Sequence, residues 1–322
     1  MPEFRTIDAG AAKLRVAVEG EGPLVLMVHG FPESWYSWRH QIGPIAAAGF
    51  TAAAIDVRGY GGSDKLYPVE AYAMQELVAD VAGVIDALSP GRKAIVVGHD
   101  WGAPIVWSTA SARPDRVRAV AGLSVPHLGE PPAPFIDIVG KVFTDNGRFF
   151  YQVYFQDEGV AEAELEGDVR GALRKFYYAI SGDAPDNTWP PDKQHGATLL
   201  DRLPDPQPFP AWLTKADEDY YVGEFQTSGF RGPLNRYRNH RRDFAWMRRL
   251  PDTTVTQPAL FIGGSRDLVL KMIPGSDPVA AMRKHLPNLQ GAHLLEGCGH
   301  WTQQERPEEV NALLIAWLKA QG

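Results

Sequence analysis

Cysteine is almost missing from this chain of 322 residues. The single thiol, Cys298, excludes an internal disulfide framework and a cysteine-based zinc site. Positive charge is not in excess either: 32 Lys and Arg stand against 39 Asp and Glu, a formal charge of −7. With no basic cluster, that balance argues against a nucleic-acid binder. No uninterrupted apolar run approaches the ~18 residues that a spanning helix needs, which excludes membrane insertion. The opening stretch MPEFRTIDAGAAKLRV has no basic start followed by an apolar run, so no secretory leader is expected and the cytoplasm is the expected location. Internal repeats and low-complexity tracts are absent too. What is present, 44% hydrophobic and 22% charged residues, is ordinary for a soluble globular protein. At roughly 150 residues per domain, the length suits two domains or one with an insertion.

Apolar runs of strand length occur at Leu24–Val28, Ala52–Ile55, Ala94–Val97 and Val117–Val125. Each is bounded by Gly, Pro or charged residues, as buried parallel strands usually are. Between the second and third, Leu77, Val81, Val84, Ile85 and Leu88 recur on one helical face. Strand–helix–strand alternation of this kind predicts an α/β fold with a mostly parallel sheet flanked by helices. After Pro126 the pattern breaks into aromatics, charges and prolines, with Pro131, Pro132 and Pro134 reading as a linker or hinge. It returns with strands at Ala259–Gly263 and His293–Leu295. A last helix, Glu308–Lys319, buries Val310, Leu313, Leu314, Trp317 and Leu318. The expected organisation is a core in two parts, residues 1–126 and 251–322, interrupted by a helical lid at 127–250.

The chemistry concentrates at strand ends. Gly98-His99-Asp100-Trp101-Gly102 follows one predicted strand and opens a predicted helix. A sharp strand-to-helix turn flanked by glycines projects one side chain above the sheet beside the positive end of a helix: a nucleophile elbow. The usual occupant is serine; here it is aspartate, which rules out a serine esterase. A carboxylate needs no base before attacking carbon, so Asp100 suits displacement at an sp³ centre. Taken alone, Asp100 could equally be a helix cap. Its partners shift the balance. His300, in Gly297-Cys298-Gly299-His300-Trp301, lies just past the final strand, and Asp267 follows the strand before it. The order Asp100, Asp267, His300 is nucleophile, acid, histidine, the order of the α/β-hydrolase fold. Asp252 and Asp277 flank the same region and compete for the acid's role. Ser124 occupies the strand end where that fold has an alternative acid. In this architecture the backbone N–H groups of Phe31, in Val28-His29-Gly30-Phe31-Pro32, and of Trp101 form an oxyanion hole. The His29 side chain itself reads as part of a tight turn. Arg58-Gly59-Tyr60-Gly61-Gly62-Ser63-Asp64 lacks the Gly-Lys-Ser/Thr ending of a phosphate loop and reads as a packed turn.

Four segments together carry a family resemblance: His29 to Arg39 (HGFPESWYSWR), Arg58 to Asp64 (RGYGGSD), Gly98 to Gly102 (GHDWG) and Gly299 to Trp301 (GHW). The chain resembles the α/β-hydrolase-fold epoxide hydrolases, most of all the soluble enzymes of mammals, plants and mycobacteria, over nearly its whole length. That resemblance implies an inserted helical lid with two tyrosines that hold the epoxide oxygen. Phe150-Tyr151-Gln152-Val153-Tyr154-Phe155-Gln156 matches the setting of the first and assigns Tyr151. Gly229 to Arg238 (GFRGPLNRYR) matches the second and assigns Tyr237. Arg236 departs from the family pattern, which favours an aromatic there. The implied reaction adds water to an epoxide through an ester on Asp100. His300 and Asp267 activate the water, and Gln152, Val269 and Trp301 stand as pocket walls. It calls for no cofactor and no metal; the partner is a small-molecule epoxide, and a homodimer is compatible with it. Two rivals remain at this point. A haloalkane dehalogenase shares the aspartate and Trp101, though Phe31 stands where many dehalogenases carry a halide-binding Asn. A non-catalytic ligand-binding protein on the same scaffold is the other.

Overall fold

A computed structural model describes residues 2–272 and 277–321. Eight strands form one sheet: β1 (Glu3–Asp8), β2 (Lys13–Glu19), β3 (Leu24–Val28), β4 (Thr51–Ile55), β5 (Ala94–His99), β6 (Val117–Leu123), β7 (Ala259–Gly264) and β8 (Leu289–Leu295). Their order is β1-β2-β4-β3-β5-β6-β7-β8, antiparallel at β1/β2 and β2/β4 and parallel beyond. The central strands β3 and β5 are buried at every position, as expected of strands covered on both faces. Covering them are α1 (Arg39–Ala47), α2 (Met74–Leu88) and α3 (Gly102–Ala112). The helical face read from the sequence is the one α2 buries, through Leu77, Val81, Val84 and Ile85.

Two strands escaped the sequence pattern. β1 is exposed at five of its six positions and β2 begins on exposed Lys13, so neither presents an uninterrupted apolar run. They pair antiparallel at the sheet edge, where one face can stay solvated. β6 also stops two residues earlier than expected, because Ser124 turns the chain with φ 67.

Between β6 and β7 lie only helices and irregular segments, apart from one isolated bridge between Arg148 and Gln194. The helices are α4 (Phe135–Val142), α5 (Tyr151–Tyr154), α6 (Val160–Gly167), α7 (Val169–Ala179), α8 (Lys215–Ser228), α9 (Arg231–Tyr237) and α10 (His240–Met247). This lid is fastened to the core by specific bonds. The Tyr177 hydroxyl donates to the Pro32 carbonyl at 2.8 Å, and the Trp301 indole N–H donates to the Tyr177 carbonyl at 2.8 Å. Arg39 pairs with Asp217 at 2.9 Å. The chain closes with α11 (Pro278–Met282), α12 (Thr302–Glu305) and α13 (Pro307–Gln321), which buries Val310, Leu314, Trp317 and Leu318 and leaves Leu313 only partly covered. Among the described residues, no helix is long and apolar enough to cross a membrane.

Strand register decides what meets at the top of the sheet. Val28 lies opposite Gly98, and Gly98 opposite Gly122, so the segments leaving β3 and β5 emerge side by side. A buried carboxylate joins them. Glu33 accepts from the Gly30 amide at 2.8 Å, from His99 Nδ1 at 2.8 Å, and from the side-chain amides of Gln303 and Gln304 at 3.0 and 3.2 Å. Burial pushes its pKa up, but His99 and the Gly30 amide outweigh that and hold it below the ordinary carboxylate range. Glu33→Ala would leave four buried donors without their acceptor. A loss of about 3–5 kcal/mol in unfolding free energy is expected, read from urea denaturation followed by circular dichroism.

Candidate active site

The elbow depends on close backbone approach. Asp100 sits at φ 49, in the left-handed region that a non-glycine residue adopts only when its surroundings enforce it. A Cβ on Gly98 would come within 2.1 Å of the Gly102 carbonyl oxygen, and one on Gly102 within 2.0 Å of the Val28 oxygen. Both positions therefore demand glycine. The same holds for Gly30, whose added Cβ would lie 2.2 Å from Asp100 Oδ1 and 2.6 Å from the Trp101 nitrogen. The loop after β3 thus lies directly against the carboxylate and the amide that follows it.

The two oxygens of Asp100 have different partners. Oδ1 accepts from the Phe31 amide at 2.7 Å; Oδ2 lies 3.3 Å from His300 Nε2. On the far side of the ring, His300 Nδ1 donates to both oxygens of Asp267, at 3.1 and 3.0 Å. Asp267 is itself fixed by the Val269 amide at 2.8 Å. Its two sequence competitors are engaged elsewhere: Asp252 accepts from the Thr254 amide, and Asp277 caps α11 through the Ala280 amide. Burial pushes the Asp100 pKa up, but His300 and the Phe31 amide draw it below the ordinary value. His300 moves the other way. Burial lowers it, yet the carboxylates of Asp267 and Asp100 raise it well above an ordinary imidazole. The ring thus lies between two carboxylates, both of which favour its protonated form.

Tyr151, at the start of α5, and Tyr237, at the end of α9, face Asp100 from the lid. Their ring centroids are 6.0 Å apart. Burial, reinforced by the Asp100 charge, raises both phenol pKa values, so both stay protonated at neutral pH. Together with Asp100, His300 and Phe31 they line a cavity of about 600 Å3. A second cavity of about 410 Å3 meets the first, sharing Asp100, Tyr151, Val269 and Met272 with it; Trp101 and Gln152 line this second arm. Gln152 donates to the Tyr151 hydroxyl at 2.7 Å, which leaves the phenol hydrogen free to point elsewhere. Trp301 is a correction. It lines neither cavity; its fully buried ring lies 4.4 Å from that of Tyr177, tilted by 46°, and its N–H is spent on the lid backbone. The residue after a site histidine need not face the site.

Three further residues hold the site and were not among those picked from the sequence for it. The His300 carbonyl accepts from the Ser124 hydroxyl at 2.6 Å and from His99 Nε2 at 2.8 Å, and His99 in turn donates to Glu33. Sequence spacing carries no signal for these bonds, which join segments up to 201 residues apart. The Arg236 departure has a structural answer. Its buried guanidinium lies over the Trp101 ring, 4.7 Å from its centroid, and pairs with Asp243.

A strand-to-helix elbow carrying a carboxylate, an acid–histidine pair and an abutting loop amide define a hydrolase of the α/β type. The family model described as alpha/beta hydrolase fold matches residues 23–307. Epoxide hydrolase B of Mycobacterium tuberculosis is 41% identical over 92% of each chain. Epoxide hydrolase A of the same organism is 40% identical over 98% of this chain and 97% of its own. An epoxide hydrolase structure from an endophytic Streptomyces superimposes with a TM-score of 0.93 at 48% identity, covering 99% of this chain and 96% of that one. The chain belongs to the epoxide hydrolase family of α/β hydrolases.

The electrostatics of the triad yield a test that needs no substrate. Asp100→Asn removes one of the two charges that raise the His300 pKa. The imidazole of that variant is expected to titrate at lower pH than in the wild type, by NMR of the ring resonances. An unchanged midpoint would mean that the two groups are not coupled.

Proposed function

We propose that the protein hydrolyses epoxides to vicinal diols through a covalent ester on Asp100. The observation that carries this reading is the meeting of Asp100, His300, Tyr151 and Tyr237 around one cavity. A carboxylate faces two proton donors across a space suited to a small three-membered ring.

The epoxide enters between core and lid (residues 127–250), and its oxygen accepts hydrogen bonds from Tyr151 and Tyr237. Asp100 Oδ1 is committed to the Phe31 amide, so Oδ2 is the attacking atom. Oδ2 approaches one ring carbon from behind the C–O bond. The bonding pair passes to the epoxide oxygen, which takes a proton from a tyrosine, and a hydroxyalkyl ester results. Esterification removes the Asp100 charge. The His300 pKa then falls, because one of the carboxylates that raised it is gone, and the ring gives its proton through water to the tyrosinate left by ring opening. The neutral imidazole, held by Asp267, takes a proton from water, and the hydroxide attacks Cγ of Asp100. The oxygen that becomes negative is Oδ1, which already lies at the Phe31 amide, with the Trp101 amide beside it. Collapse expels the product oxygen, which takes the proton from His300; the carboxylic acid thus formed at Asp100 returns its own proton to the ring, and the diol leaves. Gln152 and Val269 contribute walls.

Diol formation from short alkyl and aryl epoxides is the direct test. Halide release from haloalkanes without diol formation would overturn the reading. Asp100→Ala is expected to lower turnover by about 10⁴-fold or more. In His300→Gln, intact mass should rise by the mass of one epoxide and stay there, because ring opening proceeds while hydrolysis stalls. The double variant Tyr151→Phe, Tyr237→Phe should form no such adduct and keep a wild-type circular dichroism spectrum.

A further inference from the structure

The second arm of the cavity holds a polar side chain that the proposed chemistry does not use. His240, at the start of α10, is only 7% exposed. Its ring lies 5.8 Å from that of Trp101 and 5.7 Å from that of Phe135, and among the described residues it makes no side-chain hydrogen bond; Nε2 is buried without a partner. Buried polar groups in proteins are almost always paired. The other orphan in this arm is Gln152 Oε1, whose companion nitrogen is spent on Tyr151. Around them the lining is mainly apolar, including Pro104, Trp107, Val125, Phe244 and Met247.

The ring is neutral. Burial, with Arg236 and Arg241 nearby, presses its pKa down to about 3. A neutral imidazole offers one N–H donor and one nitrogen acceptor, and the Gln152 carbonyl offers an acceptor. An anion would meet that carbonyl and the carboxylates of Asp100 and Asp243, which line the same arm, while Arg236 is already paired with Asp243. A hydroxyl matches the chemistry of both, since it can accept from the one and donate to the other.

We infer that His240 and Gln152 form a hydroxyl-recognising subsite, so that the favoured substrates are epoxides whose substituent carries a neutral alcohol. This rests on the epoxide-hydrolase reading of the same site. His240 acts as a specificity residue and takes no part in the bonds that change.

The test uses terminal 1,2-epoxyalkanes in a series of chain lengths, each as the ω-methyl, ω-hydroxyl and ω-carboxylate compound. For each purified protein the readout is the kcat/KM ratio of hydroxyl to methyl compound at equal length. In the wild type this ratio should peak at one chain length, with the carboxylates poorest. In His240→Leu the peak should fall by about tenfold, the loss of one hydrogen bond, and in His240→Gln it should partly return. The Tm of His240→Leu should equal or exceed the wild-type value, since no intramolecular partner is lost. A ratio that is flat with length or unchanged by His240→Leu overturns the subsite, as does a Tm that drops. If the wild type converts neither methyl nor hydroxyl compound, the epoxide-hydrolase reading itself falls; turnover of the methyl series with an unaltered ratio removes the subsite alone.

Discussion

The site depends on a charge that never touches the cavity. Glu33 is fully buried, and a buried carboxylate is tolerable only when its oxygens are occupied by donors. Its donors come from three places: Gly30 beside Phe31, His99 immediately before Asp100, and Gln303 and Gln304 just after His300. These segments lie far apart in the chain. Satisfying one carboxylate therefore requires all of them to be docked together. His99 extends the arrangement, since its second nitrogen donates to the His300 carbonyl. Pairing Glu33 thereby holds the segments that carry Phe31, Asp100 and His300 against one another.

The lid takes part in that docking. The His300 amide donates to the Ile180 carbonyl, just past α7, at 2.9 Å, and Gly182 and Gly299 approach so closely that a Cβ on either would strike the other's backbone. The loop that bears His300 is thus gripped from both sides, by core donors on the His300 carbonyl and by a lid acceptor on its N–H. Preorganisation of this kind reduces reorganisation during reaction, where small displacements are costly.

What could be read beforehand follows from how each feature is encoded. The central strands and α2 announce themselves through burial on both faces or at helical period, whereas β1 and β2 are half-solvated edge strands with no such signature. Asp100, Asp267 and His300 were legible because each sits at a strand end in a set order, a property of local sequence. Tyr151 and Tyr237 have no local mark beyond likeness to known lids. Trp301 was misjudged because adjacency to His300 fixes where its backbone lies, not which way its ring turns; the ring turned to Tyr177. Glu33, Ser124 and His240 could not be recognised at all, since their significance consists of contacts, or the lack of them, that exist only after folding.

The unequal treatment of the two Asp100 oxygens has a consequence for the life of the protein as matter. On the proposed mechanism the atom that attacks leaves inside the diol, and an atom from water replaces it beside His300. Oδ1, pinned at the Phe31 amide, is passed over each time unless the carboxylate rotates. One side chain would then hold a permanent oxygen and a revolving one. In isotopically labelled water the enzyme would exchange half of its nucleophile in the first turnover and keep the other half as it was synthesised.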